Sequence, residues 1–187
     1  GWNGPVVKNL ATTYMLDVMA EDFGEKCYTV PVGFKHISHG IDKHDAVLGG
    51  ESSGGLTVRG HIHGKDSIYA AALFVEMISV TGLSIEDILS KIHQKYGHYY
   101  MAECNLNLSQ DDFKRVNDII KNNPPQNIIE GADTWEFYDG YKESGFNGHW
   151  ILCRPSGTEP VLRIFAEAYT KAKAESYILK MRELLQI

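Results

Sequence analysis

Cysteine is scarce in this chain, and what there is does not pair: Cys27, Cys104 and Cys153 are odd in number, far apart and without a CxxC spacing. That pattern supports neither a disulfide framework nor a zinc ribbon, and it reads as reduced thiols in a cytoplasmic protein. Long apolar runs are also missing. Nothing approaches the ~20 residues that a membrane-spanning helix needs, and the N-terminus carries no basic region followed by an apolar stretch. Basic charge is in deficit, with 18 Lys and Arg against 24 Asp and Glu and a net charge of -6. A nucleic-acid backbone binder should show the opposite balance, so neither nucleic acid nor a membrane is expected as a partner. What remains is 187 residues, 43% of them apolar, enough for a soluble globular core in one ordinary domain or two small ones. The chain opens on Gly1-Trp2-Asn3-Gly4-Pro5 without Met and runs at once into Val6-Val7, which reads as a piece of something longer.

Periodicity divides the chain in two. In the first half a strand is expected over 5–9. A helix capped by Thr12 or Thr13 follows, with Tyr14, Met15, Val18 and Met19 on one face, and then a strand over 27–32. The glycine-dense stretch from 33 to 64 reads as loops around a short buried strand at 46–49. Asp66 then caps one helix and Ser84 another, with Asp87 as the capping-box acid and Gly97 as the stop. From Tyr99 the pattern changes: a strand over 99–108, a helix capped by Ser109, strands over 134–138, 150–153 and 161–168, and a final amphipathic helix over 171–185. Strands and helices alternate at first and then segregate, which gives an α/β unit over 1–98 followed by an α+β unit over 99–187. Charge does not mark that boundary, since each half nets -3.

Three segments could carry chemistry. RPSGTEP, residues 154–160, lies between two expected strands. The Arg154 guanidinium, the Ser156 and Thr158 hydroxyls and the backbone at Gly157 are what a phosphate's oxygens require, and Arg163 could add a second fork. The same residues also make an ordinary polar turn in which Arg154 pairs with Glu159, and composition alone leaves both readings open. GGESSGG, residues 49–55, has no Lys and is not a nucleotide loop. Its one carboxylate, Glu51, and its serines suit a hydroxyl-rich ligand, and a flexible surface loop is the alternative. The third segment gathers Lys35, Arg59, His61, His63, Lys65 and Asp66. Cations in glycine-rich loops and beside a helix start suit phosphate. A zinc site from His61, His63 and His36 or His39 lacks any supporting Cys or HExxH pattern, so no metal is assigned. Cys153 reads as a small core residue.

Taken together and in order, PVGFKHI (31–37), GGESSGG (49–55), HIHGKDS (61–67) and CRPSGTEPVLRIFAEA (153–168) resemble the α-D-phosphohexomutase family, which contains phosphoglucomutases and phosphomannomutases. The resemblance covers essentially the whole chain and matches that family's third and fourth domains. It implies a partial third domain with a mixed sheet flanked by helices, over 1–98, and a C-terminal domain with an antiparallel sheet and helices, over 99–187. It further implies an isomerase that interconverts hexose 1-phosphate and 6-phosphate through a bisphosphorylated sugar. The family's phosphoserine sits in the first domain and its Mg²⁺ in an Asp-rich loop of the second. Neither the TxSHNP-like nor the DGDxDR-like segment occurs here. The resemblance therefore implies a fragment inactive alone, whose partners are the phosphosugar and the N-terminal domains of its own polypeptide. Mg²⁺ and glucose 1,6-bisphosphate would serve the whole enzyme and neither would be bound by this part.

By the same resemblance, Glu51 and Ser53 hold sugar hydroxyls, and Arg154, Ser156, Gly157 and Thr158 bind the phosphate not being transferred, with Arg163 contributing. Lys35 and Lys65 face the cleft, and Lys65 could assist proton transfer. Ser67 after Asp66 departs from the family's common Lys-Asp-Gly. GESSGG lacks the histidine seen in some dual-specificity relatives, a lean towards glucose. The alternatives are a non-catalytic phosphosugar-binding module and a phosphoglucosamine mutase.

Overall fold

A computed structural model describes residues 2–137, 139–145 and 148–187. The chain divides into two compact units, Gly1–Gly97 and His98–Ile187.

In the first unit β1 (Val6–Asn9) lies at the centre of the sheet, with β2 (Cys27–Val30) and β3 (Leu48–Gly50) parallel to it on either side. β4 (Leu56–Val58) returns antiparallel to β3, giving a mixed sheet in the order β2-β1-β3-β4. The helix α1 (Met15–Asp22) crosses from β1 to β2, and α2 (Phe34–His44) crosses from β2 to β3. Two helices, α3 (Ser67–Thr81) and α4 (Ile85–Tyr96), complete the unit. The expected caps of α3 and α4 are in place: Asp66 accepts from Ile68 N and Tyr69 N, Ser84 from Asp87 N, and Gly97 ends α4. The helix α1 instead starts from Tyr14, which makes no side-chain cap bond, rather than from Thr12 or Thr13, Thr12 being drawn to Asn9 and Ser52.

The helix α2 is a correction, because its residues were expected to be loop. Its buried stripe is thin, Ile37 and Ile41 with Ser38 and Gly40, between lysines and histidines that mask the period. Gly40 is also not a breaker here. A Cβ at that position would stand 2.8 Å from Val7 Cγ1, so the bare backbone is what lets α2 press onto β1. β4 was not expected, and α3 differs from the helix packed on a sheet that its pattern suggested. It has no buried residue, and Ile68, Val75 and Val80 are largely exposed. Among the described residues no single helix is long and apolar enough to cross a membrane.

The second unit is an antiparallel sheet in the order β5-β9-β8-β7-β6. Its strands are β5 (Tyr100–Asn107), β6 (Ala132–Glu136), β7 (Tyr141–Gly145), β8 (Trp150–Pro155) and β9 (Val161–Ala168). One sheet face takes α5 (Gln110–Asn122), capped by Ser109, and α6 (Lys171–Leu185), which runs over the expected residues. Ile151, Cys153, Leu162 and Ile164 from the sheet bury against Val116 and Ile120 of α5 and Ile178 and Met181 of α6. Cys153 is fully buried there, which raises its thiol pKa well above the ordinary value and suits the core role expected of it. β7 was not expected. Its inward side carries Tyr141 and a buried carboxylate, Glu143, which accepts from Tyr141 OH at 2.8 Å and from Ile129 N at 2.7 Å. Such a strand shows no apolar alternation to read. The expected strand over 134–138 ends on Tyr138, which lies outside the described residues.

Candidate functional site

The residues singled out in the sequence fall into two clusters, one in each unit. In the first, the tight turn between β3 and β4 is closed by Glu51 N donating to Gly55 O and Gly54 N donating to Glu51 O, both at 2.9 Å. This turns the Glu51 side chain inward, where it is 7% exposed. Its Oε1 accepts from Asn9 Nδ2 at 3.0 Å and from Gly33 N, at the start of α2, at 3.3 Å. Its Oε2 pairs with Lys65 Nζ at 2.8 Å. Burial works to raise the Glu51 pKa, but the hydrogen bonds from Lys65, Asn9 and Gly33 outweigh it and hold the carboxyl below its ordinary range.

The support beneath Glu51 comes from residues that sequence reasoning missed. Asn9, 3% exposed at the end of β1, accepts on Oδ1 from Ala11 N and from Thr12 Oγ1, and Thr12 Oγ1 accepts in turn from Ser52 N. One buried amide thus ties the end of β1 to the 49–55 turn. A polar pair at a strand end, Asn9 and Thr12, was the available signal. Lys65 reaches Glu51 along the turn itself. A Cβ at Gly55 would lie 2.6 Å from Lys65 Cδ, so the lysine stem occupies the space that a side chain would take. Lys65 Nζ also lies 3.4 Å from Ser53 Oγ.

The structure brings Glu51, Ser53 and Lys65 together. Lys35 is exposed in the first turn of α2, whose N-terminus supplies the Gly33 N–H to Glu51. An ionised carboxylate has about four acceptor positions, and Asn9, Gly33 and Lys65 use three of them. Glu51 therefore accepts a second new hydroxyl only if Lys65, itself about half exposed, gives way.

His61 is engaged elsewhere: its Nε2 lies 2.9 Å from Asp66 Oδ2, opposite the oxygen that caps α3, and its ring stacks on Tyr69. His63 pairs with Asp42 at 3.3 Å. Among the described residues no group of three or more His, Cys, Asp or Glu could hold a metal ion. The Mg²⁺ that the resemblance implies for the whole enzyme thus has no fitting donor set among them.

In the second cluster the 154–160 turn joins β8 to β9. Ser156 N donates to Val161 O at 2.8 Å and Val161 N to Glu159 O at 2.7 Å, while Thr158 N approaches Ser156 Oγ at 3.4 Å. Gly157 and Thr158 are exposed. Arg154 does not pair with Glu159. Its Nε donates to Asp139 Oδ2 at 2.8 Å, a partner fifteen residues away that no local pattern announced. Arg163 stands directly across the ladder from Arg154 and is exposed. Pro155, Ser156 and Gly157 line a cavity of about 550 Å³ together with Asp139, Asn117 and Lys121. The arrangement is an exposed turn flanked by two guanidiniums, suited to a small oxyanion.

Residues 1–96 match the domain family described as phosphoglucomutase/phosphomannomutase, alpha/beta/alpha domain III, and residues 103–184 match its C-terminal domain. The chain belongs to the phosphoglucomutase/phosphomannomutase family. A Pyrococcus furiosus relative named "Probable phosphoglucosamine mutase" is 31% identical over 184 residues, covering 98% of this chain and 39% of the relative. A phosphoglucomutase/phosphomannomutase of Thermococcus kodakarensis is 27% identical, covering 94% of this chain and 36% of its own length. Among solved structures, a Thermus thermophilus protein described as a "putative phosphomannomutase" superposes with a TM-score of 0.73 at 27% identity, over 98% of this chain and 37% of that one. The open form of a Paramecium phosphoglucomutase, pp63/parafusin, shares the fold with a TM-score of 0.77 at 19% identity, over 97% of this chain and 37% of that one. The chain therefore spans about two fifths of the length of the curated relatives it matches.

Proposed function

We propose that this chain is the recognition half of a cytoplasmic phosphohexomutase, an isomerase that interconverts hexose 1-phosphate and 6-phosphate through a bisphosphorylated sugar. In this reading residues 1–98 form the sugar-reading third domain and 99–187 the phosphate-binding fourth. Glu51 and Ser53 take sugar hydroxyls, with Lys65 yielding its place on Glu51 to a hydroxyl and standing ready to move a proton. Lys35 faces the same ligand. Arg154, Ser156, Gly157 and Thr158, with Arg163 beside them, hold the phosphate that is not transferred. Reading hydroxyls and holding a phosphate are the positioning tasks that such a phosphoryl transfer requires. The reacting phosphoserine and the Mg²⁺ belong to other domains of the same polypeptide, and glucose 1,6-bisphosphate is the intermediate of the complete enzyme.

The observation that carries this reading is the succession of the two domain matches along one chain, with the carboxylate turn inside the first and the phosphate turn inside the second. Glucose 6-phosphate titrated into the chain and into Arg154→Ala tests it: the variant should bind more weakly by about 1.5–3 kcal/mol, the worth of a charge-assisted hydrogen bond. Equal binding refutes the role. Pure chain supplied with glucose 1-phosphate, Mg²⁺ and glucose 1,6-bisphosphate should give no turnover, and turnover would sink the reading of it as one half.

A second substrate reading, a phosphoglucosamine mutase, is favoured by the names of several relatives. Competition between glucose, mannose and glucosamine 6-phosphates for the same chain separates the two.

A further inference from the structure

The Arg154 guanidinium is not left to solvent. It is held from the side, through Nε, by the Asp139 carboxylate at 2.8 Å, with both side chains about three-quarters covered. Among the described residues this is the one hydrogen bond seen to the Arg154 side chain. A guanidinium bound only through Nε keeps the two terminal nitrogens of its fork for another ligand, and with rotation about the terminal bonds restricted, the fork has a fixed direction.

The backbone next to Asp139 is shaped for this contact. Gly140 has φ 126, a left-handed value that side chains rarely adopt, and a Cβ built there would stand 2.5 Å from Cys153 O and 3.0 Å from Arg154 Cα. Backbone, not a flexible side chain, is what it would strike. The chain entering β7 thus lies directly against the strand that carries Arg154, an approach open only to glycine, and this brings the preceding carboxylate to Nε. Asp139 and the turn residues Ser156 and Gly157 line the same cavity. Arg163 faces Arg154 from the other side, across the β8–β9 ladder.

We infer that Asp139 is a positioning residue for phosphate recognition: it anchors Arg154 through Nε and aims the terminal nitrogens of the fork at the bound phosphate. This rests on the reading of 154–160 as a phosphate turn. A carboxylate in this place can act in two opposite ways. As an anchor it pre-organises the guanidinium and strengthens phosphate binding. As a competitor it neutralises the guanidinium and weakens it. Bonding through Nε favours the anchor, because it leaves the end-on pair of terminal nitrogens for a bidentate oxyanion, whereas a competitor would occupy that pair.

The test uses the whole chain, with glucose 6-phosphate as the probe. It is titrated into wild type, Asp139→Ala, Asp139→Asn, Arg154→Ala and the Asp139→Ala/Arg154→Ala pair, while the Arg154 Nε–Hε resonance is followed by nitrogen-15 NMR. Asp139→Ala should weaken binding about tenfold, as for one lost charge-assisted hydrogen bond. It should also shift and broaden the Nε–Hε resonance. Asp139→Asn, whose amide oxygen still accepts, should recover part of both. In the Arg154→Ala background Asp139→Ala should change nothing further, an outcome that a merely structural role would not produce. Binding unchanged or tightened in Asp139→Ala, or the same loss with Arg154 absent, would overturn the inference. Should Asp139→Ala fail to fold, Asp139→Asn decides on the same criteria: weaker binding than wild type supports the anchor, and equal or tighter binding overturns it. Equal titrations of wild type and Arg154→Ala, including none in either, would refute the phosphate turn itself and this inference with it.

Discussion

The Lys65 ammonium meets Glu51 Oε2 at 2.8 Å by running its stem across Gly55, where any Cβ would lie within 2.6–2.9 Å of Lys65 Cγ, Cδ and Cε. Three separate parts of the sequence, the carboxylate of a turn, the glycine that closes it and a lysine ten residues later, are thereby one object. It has a charged pair at its centre and a glycine as its floor.

Gly55→Ala should therefore act on the site and spare the fold. The atoms that the new methyl meets belong to a flexible, half-exposed side chain, which can move away at small cost. Moving it separates Lys65 from Glu51. Burial then opposes the charged carboxylate with less to counter it, and the Glu51 pKa should rise. A carbon-13 titration of the Glu51 carboxyl checks this, beside a melting curve that should stay close to wild type. An unchanged Glu51 titration would mean that Lys65 keeps its contact by another path.

The same pair should make stability depend on acid in a defined direction. The folded chain holds Glu51 below its ordinary pKa. The stabilisation from this group is thus fully present above the unfolded carboxyl's value of about 4.3, and it is lost as the pH falls through the lower, folded value. In Lys65→Met the main counterweight to burial is gone, and most of that contribution should be missing at neutral pH. Urea unfolding of the two proteins should therefore show a stability gap at pH 7 that narrows as the solution is acidified below pH 4. A gap of constant size would show that Lys65 stabilises by packing rather than by charge.

How far the sequence reveals such features depends on the range of the interaction that makes them. The helix caps at Asp66, Ser84 and Ser109 are contacts within three residues, so type and spacing identify them, and the strand and helix at 161–185 show their periods openly. The helix α2 was hidden because half of its buried face is Ser38, whose hydroxyl donates to Phe34 O and His63 O, and Gly40, whose bare backbone presses against Val7, and neither residue shows as apolar. β7 was hidden because its inward positions are Tyr141 and Glu143, and the burial of the latter is offset by bonds from Tyr141 and Ile129. At the candidate site the chemistry-bearing residues themselves were legible in the motifs. Their holders, Asn9 beneath Glu51 and Asp139 beside Arg154, were not. Each makes its contact 42 or 15 residues away, and its residue type is ordinary for the strand end or turn where it sits.

Arg163 provides the last prediction, since it should serve the ligand while weakening the fold. It stands opposite Arg154 on adjacent strands, and like charges in that register repel. Exposure and salt limit the effect, so Arg163→Gln should stabilise the chain by about 0.3 kcal/mol in denaturant unfolding at low ionic strength, and by less as salt is added. If the two guanidiniums share a phosphate, the same variant should bind glucose 6-phosphate more weakly, by up to about fivefold, well short of the loss in Arg154→Ala, because an exposed charge without a buried anchor contributes less. A variant that is both more stable and weaker in binding would place Arg163 at the ligand. One that binds as well as wild type would leave it an ordinary surface arginine, and a loss as large as that of Arg154→Ala would mean that the ligand sits nearer β9 than the turn.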